Sequence, residues 1–156
     1  MADSSYLTKI VEPFVVDWIS RHIGTTLTPQ QVVVGPRTDG TLVQFAFDGV
    51  SVDRQTGLLV STSQTVKPGG LRKLHVDASI LLRAPFSRRI MAFINADVLV
   101  NFLNKCDGLL PLCEIEMLVC DSLPGDMLAR IQEFQAKARK EVGDKGKIWK
   151  PGGKRR

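Results

Sequence analysis

The spacing of apolar residues changes period partway along the chain, and that change constrains the fold more than any other feature. Over residues 4–23, Tyr6, Leu7, Ile10, Val11, Phe14, Val15, Trp18 and Ile19 recur at the i, i+3, i+4, i+7 spacing of an amphipathic helix. Pro13 interrupts this stripe, so either the helix kinks there or a main helix starts with Pro13 in its first turn. Gly24 stands just past the end, where helices commonly stop. From Thr41 to Val52 and from Leu58 to Thr65, apolar and polar residues alternate as in strands. Asp53-Arg54-Gln55-Thr56-Gly57 between them reads as a hairpin loop, with Gly57 expected in the left-handed conformation.

The remaining segments extend this pattern. Thr28 before Pro29-Gln30-Gln31 reads as the cap of a short turn of helix, and Gln31 to Val34 as a short strand. Leu71 to Arg83 fits two templates. Leu71, Leu74, Ala78 and Leu82 have helical spacing, whereas Leu74, Val76, Ala78, Ile80 and Leu82 alternate. The unbroken alternation is read as a strand ending before Ala84-Pro85. Arg89 to Asn95 is a continuous apolar run, as in a buried strand. Asp97 to Cys106 reads as a helix, Cys113 to Cys120 as a strand, and Asp126 to Val142 as a helix with Met127, Leu128, Ile131, Phe134 and Ala138 on one face. The expectation is an α/β fold: a mixed central β-sheet with a hairpin or meander, flanked by helices. A chain of 156 residues suits one core. Residues 1–142 are expected to form that domain and residues 143–156 a basic, flexible tail.

Charge and cysteine usage narrow the function. From Lys137 to Arg156, nine Lys and Arg residues face only Glu141 and Asp144, a net +7 within a total of +5, which leaves residues 1–136 at −2. Such a tail attracts polyanions without regard to sequence, through Lys147, Lys150, Lys154, Arg155 and Arg156. No run approaches eighteen apolar residues, and the first residues lack the pattern of a secretory signal, so a cytoplasmic protein is expected. Cys106, Cys113 and Cys120 are odd in number and form no Cys-x-x-Cys pair, and His22 and His75 show no ligand spacing, so neither a disulfide framework nor a zinc site is expected. Cys113 and Cys120 flank a largely apolar run and are read as buried thiols. No Gly-rich phosphate loop, His-Glu-x-x-His or Gly-x-Ser-x-Gly motif is present.

The segment Phe45-Ala46-Phe47-Asp48-Gly49-Val50-Ser51-Val52-Asp53, preceded by a helix and followed by further strands, resembles the acid-bearing strand of the PD-(D/E)XK, or restriction-endonuclease-like, nuclease superfamily. In that superfamily a helix precedes a β-meander, an Asp lies on one hairpin strand and an acid-x-Lys on the next, and a helix and another strand follow. The resemblance implies a restriction-endonuclease-like fold, DNA as partner, Mg²⁺ as cofactor and phosphodiester hydrolysis. It places Asp48 in the site, facing the neighbourhood of Ser61 to Ser63. The sequence departs from the pattern there. Leu59-Val60-Ser61-Thr62-Ser63-Gln64-Thr65 offers Ser61 and Ser63 where the acid and lysine are implied. Lys67, Glu12 and Asp77 are the candidate replacements.

The resulting candidates are Asp48, Ser61, Ser63 and Lys67 for catalysis and Asp48 with Glu12 for the metal. Lys67, Arg72 and Lys73, together with the tail cations, are the candidates for phosphate contact, and Arg83, Arg88 and Arg89 lie around the next turn. Each acid also has a local explanation: Asp48 as a turn former before Gly49, Asp53 as the first hairpin residue, Asp77 as a solvent-facing strand residue and Glu12 as a helix-start residue. Two functions follow. One is a nucleic-acid-associated protein of nuclease-like fold with impaired or lost catalysis. The other is a non-catalytic interaction or scaffold subunit, dimeric with a second copy.

Overall fold

The computed structural model describes residues 5–148, with side chains to residue 137. Helix α1 spans Glu12–Ile23 and is preceded by a π-helical turn, Leu7–Val11. Pro13 explains the wide turn. It has no N–H to give the carbonyl four residues back, and its ring crowds that carbonyl. The Glu12 N–H instead reaches the Leu7 carbonyl, five residues away. The helix thus passes through Pro13, and Gly24 ends it with φ 69°.

Three antiparallel strands follow: β1 (Leu27–Pro36), β2 (Leu42–Ser51) and β3 (Thr56–Ser61). Helix α2 (Pro68–Arg83) leads to β4 (Arg88–Phe93), α3 (Ala96–Cys106) leads through a short 3-10 turn to β5 (Glu116–Val119), and α4 (Gly125–Ile148) closes the described chain. The sheet order is β1-β2-β3-β4-β5, with β4 parallel to both β3 and β5. The class is therefore the expected one, a mixed sheet flanked by helices. No described helix is long and apolar enough to cross a membrane.

Leu71 to Arg83 is a helix, not the strand that its alternation suggested. The parallel pairing of β3 with β4 gives the reason, since parallel neighbours need a crossover that returns the chain to the same end. The buried positions are Leu74, Ala78 and Leu81, at helical spacing, while Val76 is 55% exposed. The hairpin also differs from expectation. Arg54, with φ 60°, occupies the left-handed position. Gly57 is required for another reason: a Cβ there would stand 2.1 Å from the Phe86 ring.

Successive strand residues feed two cores. Leu59, Met91 and Phe93 pack with α2 and α3, while Leu58, Val60, Ile90 and Ala92 pack with α1 and α4. All six residues of β3 are buried. On the α1 side, Tyr6 meets Phe134 of α4 at 5.7 Å between ring centroids, with the Arg130 guanidinium 5.0 Å above the same tyrosine ring. Cys106 and Cys120 are buried, but Cys113 is exposed, contrary to the reading from its apolar neighbours. Helix α4 continues past residue 142, and Lys147 lies on its backbone. Lys150, Lys154, Arg155 and Arg156 fall outside the described residues.

Gly57→Ala is expected to destabilise the domain by about 1–3 kcal/mol, because the new methyl must displace a ring held in the core. A thermal melt checks this, and Gly57→Ala melting at the wild-type temperature would contradict the packing described for Phe86.

Candidate functional site

The site begins with a local failure of strand pairing. On the β1 side, Thr28 pairs with Val50 and Gln30 with Phe47, so Pro29 alone opposes both Asp48 and Gly49. This is a β-bulge, a device that re-aims one side chain and is common beside active sites. Pro29 has no N–H to offer, which suits it to such a position. On the other side, β2 pairs with β3 only at Gly49–Leu58 and Val50–Gly57. Where the strands diverge, the Val60 N–H donates to Asp48 Oδ2 at 2.7 Å. The Asp48 side chain therefore takes the place of a main-chain partner and fills the gap between β2 and β3.

Three other charged groups act on this gap. Glu12, the first residue of α1, approaches from one layer; Lys73 and Asp77, on α2, approach from the other. Burial pushes the Glu12 carboxyl up to about 7, the Asp48 charge pushes it the same way, and Lys73 opposes both. Burial also raises Asp48, against the Val60 N–H and Lys73, which lower it. Asp77 is raised by burial and by Asp48 and lowered by Lys73. Lys73 Nζ stands 3.9 Å from Asp77 Oδ2, with its side chain 73% exposed and that of Asp77 only 14%. One solvated ammonium thus faces three half-buried carboxyls, an arrangement that costs stability while all three are ionised.

Glu12 and Asp48 also line one groove of about 610 Å³. It runs between α1 and the β1–β2 hairpin, with Pro13, Val16, Leu27 and Ala46 among its walls and Asp17 and Arg21 further along α1. Among the described residues, no three His, Cys, Asp or Glu side chains stand close enough together to hold a metal ion as placed. Glu12 and Asp48 are hard oxygen donors, however, and Mg²⁺ commonly binds through one or two carboxylates, with water and substrate completing its shell. The donor set fits such an ion with these two residues as its protein ligands.

The other candidates fall elsewhere. Ser61 is buried at the end of β3 and its Oγ accepts from the Ser63 N–H at 3.5 Å, while Ser63 lies in the loop beyond the strand. Lys67 is exposed and immediately precedes α2, and Arg72 is exposed on its first turns. Arg88 pairs with Glu116 at 2.9 Å, and Arg89 donates to the Leu81 and Ala84 carbonyls at the end of α2. Both are thus committed within the fold. Asp53 serves the hairpin, accepting from Ser51 Oγ at 2.6 Å and from the Gln55 N–H. His75 is half-buried on α2, and exposed His22 stacks on Trp18.

Lys73 was grouped with the phosphate contacts, and its link to the acids was missed. Reading α2 as a strand separates residues 73 and 77 by several residues of extended chain. On a helix their i, i+4 spacing makes them neighbours. Comparison of the chain with known protein families, with curated proteins and with solved structures finds no match.

The raised Glu12 pKa has a definite sign. Between the ordinary value of 4.5 and about 7 the folded state binds the proton more tightly than the unfolded state does, so stability falls as pH rises through that window. In metal-free buffer, Glu12→Gln should match wild type near pH 4.5 and become the more stable protein by pH 8. The gain is about 1 kcal/mol once partial exposure is allowed for, or about 2–4 °C in melting temperature. Parallel melting curves for the two proteins would contradict the clustering.

Proposed function

We propose that this chain is a nucleic-acid-associated protein of restriction-endonuclease-like fold that hydrolyses phosphodiester bonds with a divalent cation held by Glu12 and Asp48. The observation that carries the reading is the coupling of those two carboxyls at a bulge where the sheet opens onto a groove. The order of elements also supports it. A helix, a three-strand meander, a second helix and a further strand follow one another as the resemblance implies, with the Asp on the middle strand of the meander.

In this reading the two groups missing from the second hairpin strand come from α2. Lys73 provides the ammonium and Asp77, one helical turn on, holds it over the gap. A bound Mg²⁺ or Mn²⁺ would supply charge neutralisation for the phosphate and a more acidic water. Lys73 would stabilise the negative charge that grows on the non-bridging oxygens as the water oxygen bonds to phosphorus. The attacking water gives up one proton to solvent, one ester P–O bond breaks, and the leaving oxygen takes a proton from solvent. Exposed Lys67 and Arg72, at the start of α2, would hold flanking phosphates, with the basic C-terminal residues adding sequence-independent attraction.

Asp48→Asn is the informative variant, because the amide oxygen still accepts from the Val60 N–H while the charge is gone. Asp48→Ala would also leave that donor without its partner, at about 1–3 kcal/mol. Calorimetric titration should show Mg²⁺ or Mn²⁺ binding to wild type that disappears in Asp48→Asn. Wild type should nick plasmid or branched DNA in Mn²⁺, and Lys73→Ala should slow that cleavage about 100-fold with metal binding retained. Absence of both metal binding and cleavage in wild type would overturn the hydrolase and favour the non-catalytic scaffold. DNA binding insensitive to salt between low and moderate ionic strength would remove the nucleic-acid role as well.

A further inference from the structure

We infer that the groove between α1 and the β1–β2 hairpin receives an unpaired nucleotide, its phosphate beside Glu12 and Asp48 and its sugar and base along the apolar walls. The phosphate end rests on the function proposed above; the rest stands on the groove itself. Its volume, about 610 Å³, falls within the range of about 300–1,000 Å³ typical of small-molecule sites. Glu12 and Asp48 lie within its lining, and the apolar walls beside them are Pro13 and Val16 of α1, Leu27 and Pro29 of β1, and Ala46 of β2.

The distribution of charge selects this ligand. A duplex lying in the groove would bring a phosphate every few ångströms along each strand and would need a row of cations to meet them. Among the described residues the lining includes no lysine, and its one arginine, Arg21, is paired with Asp17 at 2.9 Å. The groove is therefore suited to one phosphate beside the acid pair, bridged there by a cation, and to an uncharged, largely apolar body along its walls. A nucleoside has that composition, with flat apolar faces and polar edges. Thr8, Thr25 and Thr26 line the groove as well and bring hydroxyls for those edges. The same ligand chemistry is presented by a free nucleotide and by the unpaired end of a strand.

Ala46 is exposed on β2 and lines the groove, so Ala46→Trp fills the space without disturbing either core. Calorimetry in Ca²⁺ would compare thymidine 5′-monophosphate, a (dT)5 oligonucleotide and a blunt 12-base-pair duplex. Wild type should bind (dT)5 at least tenfold more tightly than the duplex, and Ala46→Trp should lose at least tenfold for (dT)5. Monophosphate binding as tight as (dT)5 would identify the free nucleotide as the source. Equal binding of (dT)5 and duplex, unchanged (dT)5 binding in Ala46→Trp, or no binding of any probe would overturn the inference. The two readings fail separately. Loss of (dT)5 binding in Ala46→Trp, with no divalent-ion dependence and no cleavage by wild type, would keep the groove and reject the hydrolase. Metal-dependent cleavage by wild type with (dT)5 binding unaffected by Ala46→Trp would do the reverse.

Discussion

The hydrogen bond from the Val60 N–H to Asp48 Oδ2 is the interaction on which the site depends. A main-chain donor in a fully buried strand must find a partner, because leaving it unsatisfied there costs about 1–3 kcal/mol. In a regular hairpin the partner would be a carbonyl of β2. Here a side chain takes that place, and the two strands separate without leaving β3 unsatisfied. The bulge opposite Pro29 makes this geometry reachable, since an extra residue in β2 turns the Asp48 side chain towards β3. Pairing, bulge and carboxylate are therefore one structural solution. A turn-forming role for Asp48, which its neighbour Gly49 suggested, is not the one it fills.

That solution creates an electrostatic liability. Asp48 could satisfy Val60 as an isolated carboxylate at modest cost. Instead Glu12 and Asp77 are close enough to be raised by its charge, and among the described residues one exposed lysine, Lys73, is the cation that relieves them. Acids arranged for stability are paired with arginine, as Glu116 is with Arg88 through two hydrogen bonds on the sheet's other flank. The contrast within a single sheet separates structural acids from strained ones. Clusters of carboxyls whose environments oppose ionisation are characteristic of sites that receive a cation or exchange a proton.

Much of the fold was legible because its period changes are sharp. The stripe from Tyr6 to Ile19, the alternation from Thr41 to Val52 and the apolar run after Arg89 each match one template, and each element stands where its pattern put it. Leu71 to Arg83 was misread because its apolar residues satisfy two templates at once. Only the parallel pairing of β3 with β4, a long-range fact, decides between them. That error carried into the site. Asp48, Glu12 and Asp77 were identified from the resemblance, but Lys73 could not be joined to them while it lay on a supposed strand. Gly57 shows the same limit, because the Phe86 ring that forbids its side chain comes from a distant segment.

The topology also explains why these groups meet at this end of the sheet. β3 and β4 are parallel, and each is followed by a helix, so their carboxyl ends and the N-termini of α2 and α3 share one side. Open sheets with such crossovers place ligands at that side, where helix dipoles present partial positive charge and loops diverge. Asn95 illustrates the local construction: its side chain caps α3 by accepting from the Asp97 and Val98 N–H groups, and it donates to Gln64 in the loop that leads to α2. The two loops are thereby tied together beside the gap. Val60 is one residue from the carboxyl end of β3, and α2 starts a short loop later. A carboxylate that opens β2 from β3 at that point faces the first turns of α2. Residues 73 and 77, at the second and third turns, are the ones such a helix can direct back at it.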